Sequence, residues 1–207
     1  MTVFGPEQRD AIAQAITKAE SNTRGEIVVV LARASGGYYA YALMWVALIA
    51  LLVPWPLIYA TKWPVQYIYL LQLAVFAVGA LLIQWERLRL LLVPKAVKRT
   101  RAHRRAVEQF LVQNLHTTKG RTGVLIYVSL AEHFAEVIAD DGIYQKVAAS
   151  TWERVVDELT THIGRGAPHQ GFIAAIDACG KLLAEHFPPG KADSDELPNH
   201  LIVLDGP

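Results

Sequence analysis

A chain of 207 residues, 53% of them hydrophobic and with a formal net charge of +1, has room for one soluble domain and a short additional element, which excludes two full cores. The near-zero charge hides an uneven distribution of basic residues along the chain. The single cysteine, Cys179, excludes an internal disulfide framework and reads as a small buried hydrophobe in a reducing compartment.

The opening Gly5-Pro6-Glu7 puts proline at the first position of a helix whose apolar stripe is Ile12, Ile16 and Ala19, and Gly25 stops that helix after residues 22–24. Glu26 then leads into Ile27-Val28-Val29-Val30-Leu31. A continuous β-branched run of this kind predicts a strand buried on both faces. No second strand lies ahead of the apolar block that follows, so the partner must come from beyond residue 86.

Residues 38–60 and 63–85 contain no Asp, Glu, Lys, Arg or His, and each is long enough for a helix of roughly 30 Å. Only Thr61 and Lys62 separate them, which predicts an antiparallel transmembrane hairpin. Trp45, Trp55, Trp63, Tyr67 and Trp85 fall largely near the ends, where amphipathic rings prefer the headgroup layer, and Pro54, Pro56 and Pro64 cluster at the turn. A hairpin buried in a soluble core is disfavoured because the rest of the chain is too short to cover it. A signal peptide is disfavoured because the block begins near residue 38 with no short charged leader.

After the second apolar segment come Arg87, Arg89, Lys95, Lys98, Arg99, Arg101, Arg104 and Arg105 against the single acid Glu86, while the turn holds only Lys62. With Arg24 and Arg33 ahead of the hairpin, this predicts an integral membrane protein with both N- and C-termini cytoplasmic; a bacterial inner membrane is the expected location. The basic cluster is expected to face the anionic headgroups of the bilayer. No aromatic platform or recognition motif accompanies it, so no nucleic acid is expected as a partner.

Val97, Val107, Phe110, Leu111 and Leu115 mark the next helix, ended by Lys119-Gly120. The run from Gly123 to Leu130 predicts a strong strand and that from Phe134 to Ala139 a weaker one after a tight turn, together an antiparallel hairpin. Ser150 with Glu153 reads as a capping box for a helix bearing Val155, Val156, Leu159 and Ile163, stopped by Gly164-Arg165-Gly166. Pro168 opens a last helix with Phe172, Ile173, Ile176, Cys179 and Leu183 inward. Residues 188–207 predict a mostly irregular tail in which Leu201-Ile202-Val203-Leu204 can dock on the body. The fold class is therefore α/β: a small mixed sheet of two parallel strands plus an antiparallel third, flanked by helices. Residues 1–37 and 86–187 form the two parts of this domain around the inserted hairpin of 38–85.

The segments Gly25-Glu26-Ile27-Val28-Val29-Val30, Arg121-Thr122-Gly123-Val124-Leu125-Ile126-Tyr127-Val128-Ser129-Leu130, Asp141-Gly142-Ile143 and Gly171-Phe172-Ile173-Ala174-Ala175-Ile176 resemble, in order and spacing, those of the TPM domain. That superfamily takes its name from a thylakoid lumen protein, a photosystem II repair protein and a nematode receptor modulator. The resemblance implies an α/β domain whose relatives are described as acid phosphatases, as divalent-cation binders, or as helpers in membrane-protein repair and receptor assembly. The present layout departs from the commoner one, in which a signal peptide delivers the domain outside the cytoplasm and the anchor follows it.

The residues themselves assign no catalytic group. Paired zinc-helix histidines, a Cys pair, a phosphate-cradling glycine loop and a nucleophile elbow are all absent. The seven histidines are scattered and read as exposed or locally bonded. Ser129 and His133, four apart across a turn, have the spacing of a nucleophile and its base, with no acid placed to orient them. Asp140-Asp141-Gly142 offers two hard oxygen ligands on a turn and is the candidate site for calcium or magnesium, with Glu26, Asp157 and Asp177 available as further ligands. The competing reading is an exposed turn whose aspartates bond to nearby backbone N–H groups. The expected function is a membrane-anchored module that contacts a membrane or membrane-proximal protein at the cytoplasmic face, in assembly or maintenance. A metal-dependent phosphatase is one alternative. A small channel or transporter subunit is the other, from Gln66, Gln72 and Gln84 in the second apolar segment, although such glutamines more often bond across helices.

Overall fold

The computed structural model describes residues 4–189 and 197–206. They divide into two compact units, one formed by residues up to 35 together with 101–206 and the other by residues 36–100.

The first unit is built on four strands, β1 (Glu26–Ala32), β2 (Gly123–Ser129), β3 (Phe134–Ala139) and β4 (Leu201–Leu204), in the order β3-β2-β1-β4. β1 and β2 run parallel with Ile27 opposite Val124, and β3 returns antiparallel with Ala139 opposite Val124. The partner of β1 thus comes from beyond the apolar block, as the isolated β-branched run requires. Both strands are buried along their whole length. The sheet has one strand more than expected: β4, the Leu201–Leu204 run that can dock on the body from a mostly irregular tail, pairs parallel to the free side of β1 with Leu201 opposite Val29. Without it the backbone donors and acceptors of a buried strand would go unpaired on that side.

Because side chains alternate along a strand, Ile27, Val29, Leu31, Val124, Ile126 and Val128 face one helical layer, where Ile12 and Ile16 of α1 (Pro6–Glu20), Leu159 of α8 (Ala149–Gly164) and Phe172 and Ile176 of α9 (Pro168–His186) complete the core. Val28, Val30, Leu125 and Tyr127 face the opposite way, toward Ala106 and Phe110 of α6 (Lys95–Val112). Pro6 occupies the first position of α1, and the Gly5 N–H donates to Gln8 Oε1 at 3.1 Å. The capping box expected at Ser150 does not form. Ala148, with extended backbone, is the N-cap of α8, so Ser150 already lies within the first turn.

The second unit contains α2 (Tyr39–Leu52), α3 (Pro54–Ala60), α4 (Val65–Leu82) and α5 (Glu86–Leu91). Proline at 54 marks the junction of α2 and α3, which together form an apolar helical stretch of 22 residues; α4 has 18. Both are long and apolar enough to cross a membrane, and only 17% and 6% of their apolar windows are buried. Where they meet, Ala42, Val46 and Ile83 form a small cluster. Gly79 allows the close approach, since a Cβ there would stand 2.6 Å from Val46 Cγ1. At the open end the Arg89 guanidinium stacks over the Tyr39 ring, 3.8 Å from its centroid.

Candidate functional site

Two polar constellations lie at opposite ends of the central strands. The first joins the start of β2 to the end of β3. Gly120 and Arg121 are both left-handed, with φ of 86° and 56°, which turns the chain into β2 and carries the Arg121 guanidinium to the two candidate aspartates. Arg121 Nε donates to both oxygens of Asp140 at 3.0 and 2.9 Å, and Nη2 donates to Asp141 Oδ2 at 3.0 Å. Asp140 also caps the single turn α7 (Asp141–Tyr144), accepting from the Asp141 N–H at 2.7 Å. Hydrogen bonding to Asp140 and the charges of both carboxylates push the guanidinium above its ordinary value, against the opposing effect of burial. The following glycine is steric necessity: a Cβ at Gly142 would sit 2.5 Å from Gly120 O and 2.6 Å from Arg121 O.

This geometry bears directly on the cation reading. Asp140 is 4% exposed and its carboxylate is taken by Arg121 and a backbone N–H, so a cation would have to displace a resident guanidinium. Glu26 opens β1 at the same end of the sheet. Even so, no group of three or more His, Cys, Asp or Glu that could hold a metal ion occurs among the described residues. A calcium or magnesium ion, which takes six or more oxygens, would compete with Arg121 for both carboxylates. The backbone N–H bond is the one the exposed-turn reading anticipated, but Asp140 itself is buried.

The second constellation lies at the carboxyl ends of β1 and β2, and none of it apart from Ser129 was singled out in the sequence. Ser35 Oγ donates to Ser129 Oγ at 2.8 Å, and Ser129 Oγ donates to Glu132 Oε2. The one hydroxyl proton of Ser35 is thereby committed, so the Tyr127 hydroxyl, 2.9 Å away, donates to Ser35. The Ser35 N–H closes the network on Glu132 Oε1 at 2.9 Å. Tyr127 is fully buried and Glu132 nearly so. Burial pushes the Tyr127 phenol above its ordinary value. The network ties the exit of β1 to the β2–β3 turn and binds the first thirty-five residues to the later part of the fold.

Ser129 is engaged by Ser35 and Glu132 rather than by His133. His133, with φ of 50° at the turn, instead lines a recess of about 450 Å³ with Phe134, Thr160 and Ile163, whose only ionisable side chain it is. Beside His133 the lining carries no Lys or Arg of the kind that meets developing charge in phosphoryl transfer. His103 bonds through Nδ1 to Glu136 Oε1 at 2.9 Å and so links α6 to β3. Asp157 and Asp177 lie on α8 and α9 and join no such cluster.

The basic residues are held in three ways. Arg89 stacks on Tyr39, Lys98 Nζ donates to Leu90 O at 3.4 Å, and Arg105 pairs with Glu108 at 2.8 Å. Arg87, Lys95, Arg99 and Arg104 are exposed, and Arg101 is half-buried.

The relationships of the chain agree with this fold. Residues 86–182 match the family profile described as the TPM domain. A comparison with the curated proteins finds no match. Among solved structures the chain is similar to the NMR structure of BA42 protein from the psychrophilic bacterium Bizionia argentinensis, with a TM-score of 0.60 and 23% identity over 97% of this chain and 94% of that one. The matched segment is similar to the TPM domain from the start of α5 into α9, and the fold of the chain as a whole is shared with BA42 protein.

Proposed function

We propose that the protein is a membrane-anchored TPM module, held by its apolar hairpin with both chain ends on the cytoplasmic side, that acts through contacts with a membrane or membrane-proximal protein in assembly or maintenance. The observation that carries this reading is the second unit. Its two apolar helices leave Tyr59 83% exposed and Val65 77% exposed, and large side chains are bared along both. A core helix of a soluble protein buries that surface; a bilayer removes it from water without protein cover.

The flanking charges support the orientation. Eight basic residues follow the hairpin, Arg24 and Arg33 precede it, and the turn carries Lys62 alone. The binding role, as opposed to an enzymatic one, is supported by polar groups that are spent on each other: Arg121 on two carboxylates, Ser129 on Glu132. The test is fractionation of cells expressing the full chain. Retention in the membrane pellet through an alkaline carbonate wash, lost when residues 38–85 are replaced by a flexible linker, is the expected result. Release of the intact chain by the wash would overturn the anchor, and phosphoester turnover by the purified chain would favour the phosphatase alternative.

A further inference from the structure

The apolar surface left on the α/β unit is concentrated in one place. Among its described residues, the large hydrophobic side chains that remain exposed are Val107, Leu111, Val112 and Tyr144. Three of these four belong to the last two turns of α6. They lie away from Ala102, Ala106, Gln109 and Phe110, the side chains that α6 buries. Val107 and Leu111 are one turn apart and form a continuous ridge, and the exposed Arg104 stands one turn before Val107. By contrast, α8 turns Glu153, Arg154 and Glu158 to water.

Charge decides what this ridge fits. Within this unit α6 carries Arg101, Arg104 and Arg105 against the single acid Glu108, and that carboxylate is held by Arg105 at 2.8 Å. The outward face is therefore apolar and positive. A second copy pairing through α6 would set like charges together, which opposes association. An anionic bilayer matches both properties: aliphatic side chains enter the boundary between headgroups and acyl chains, while an arginine extends its charge to the phosphates.

We propose that the outward face of α6, through Arg104, Val107 and Leu111, rests on the surface of an anionic bilayer. This rests on the anchoring reading above. A ridge of this size is too small to hold a protein on a membrane from solution, but a tethered unit meets the surface at high effective concentration and needs only a weak contact.

The experiment uses the full chain carrying Leu111→Cys, labelled with an environment-sensitive fluorophore and reconstituted in phosphatidylcholine vesicles with or without phosphatidylglycerol. Cys179 is buried and does not compete for the label. Acrylamide, an uncharged quencher supplied on both sides of the bilayer, reports exposure, and Glu185→Cys on α9 serves as the reference position. The expected result is a blue shift and several-fold slower quenching at position 111 in the anionic vesicles only, with position 185 unchanged. Adding Arg104→Glu weakens the attraction at least fivefold, at about fivefold per charge removed, and restores quenching. Equal quenching in both vesicle types by a chain that stays in the membrane would overturn this proposal alone. Protection that persists in neutral vesicles and detergent would mean that a protein surface covers the ridge, and would also overturn it. A chain that fails to stay in the vesicles would overturn the anchoring reading and this one with it.

Discussion

Asp140 meets the Arg121 guanidinium and a backbone N–H within 3.0 Å while only 4% exposed, and its replacement tests what the acidic turn is for. Asp140→Ala removes the cap of α7, worth about 0.5–2 kcal/mol, and strands Arg121 beside Asp141; a thermal melt of the detergent-solubilised chain should fall accordingly. Millimolar calcium or magnesium should leave the melt of the parent chain unmoved, whereas a metal-dependent rise would show that a cation displaces the arginine. A second test concerns alkaline stability. Burial holds the Tyr127 phenol above its ordinary 10.0 and pushes the Cys179 thiol from 9.0 up to about 12. Both shifts favour the neutral form in the folded state. Their contribution is complete below about pH 9 and is lost as pH rises and the unfolded chain deprotonates first. Tyr127→Phe with Cys179→Ala should flatten the alkaline limb of stability against pH, read by urea denaturation from pH 8 to 11. The acidic turn was legible as a turn, but its partner was not: Arg121 is brought there by two left-handed residues nineteen positions upstream. The Ser35 network was illegible for the same reason, since its partners lie 92 to 97 positions away.

Strands and helices were read more securely than these side-chain meetings because their signals are local. The continuous apolar runs of β1 and β2 and the half-buried β3 appear where periodicity and turn residues put them. The docking of Leu201–Leu204 was legible from its apolar run, but its strand form was not, because four residues carry no periodic signal; pairing with β1 decides it. The apolar hairpin was legible from composition, but its internal contact was not. At Gly79 the absence of a Cβ lets α4 approach Val46. Gly79→Leu should therefore force α2 and α4 apart at about 1–3 kcal/mol, seen as a lower melting temperature of the solubilised chain. Val46→Ala added to Gly79→Ala should restore much of the loss from Gly79→Ala alone, because the two positions share one contact.

The chain leaves its sheet after β1 and returns to it through α6 and β2, so the α/β unit is discontinuous in sequence. Joining residues 37 and 86 by a flexible linker should yield a monomeric, folded domain, since the ends of such domains tolerate reconnection. A fragment of residues 95–206 lacks β1, exposing the sides of β2 and β4, and should aggregate in size-exclusion chromatography. The membrane reading is tested most directly by labelling intact cells with a membrane-impermeant maleimide, using Lys62→Cys at the hairpin turn and His200→Cys near β4. The buried Cys179 stays silent. A cytoplasmic TPM module hung on a hairpin predicts labelling of position 62 from outside and of position 200 only after permeabilisation; labelling of position 200 from outside, with position 62 protected, would contradict it.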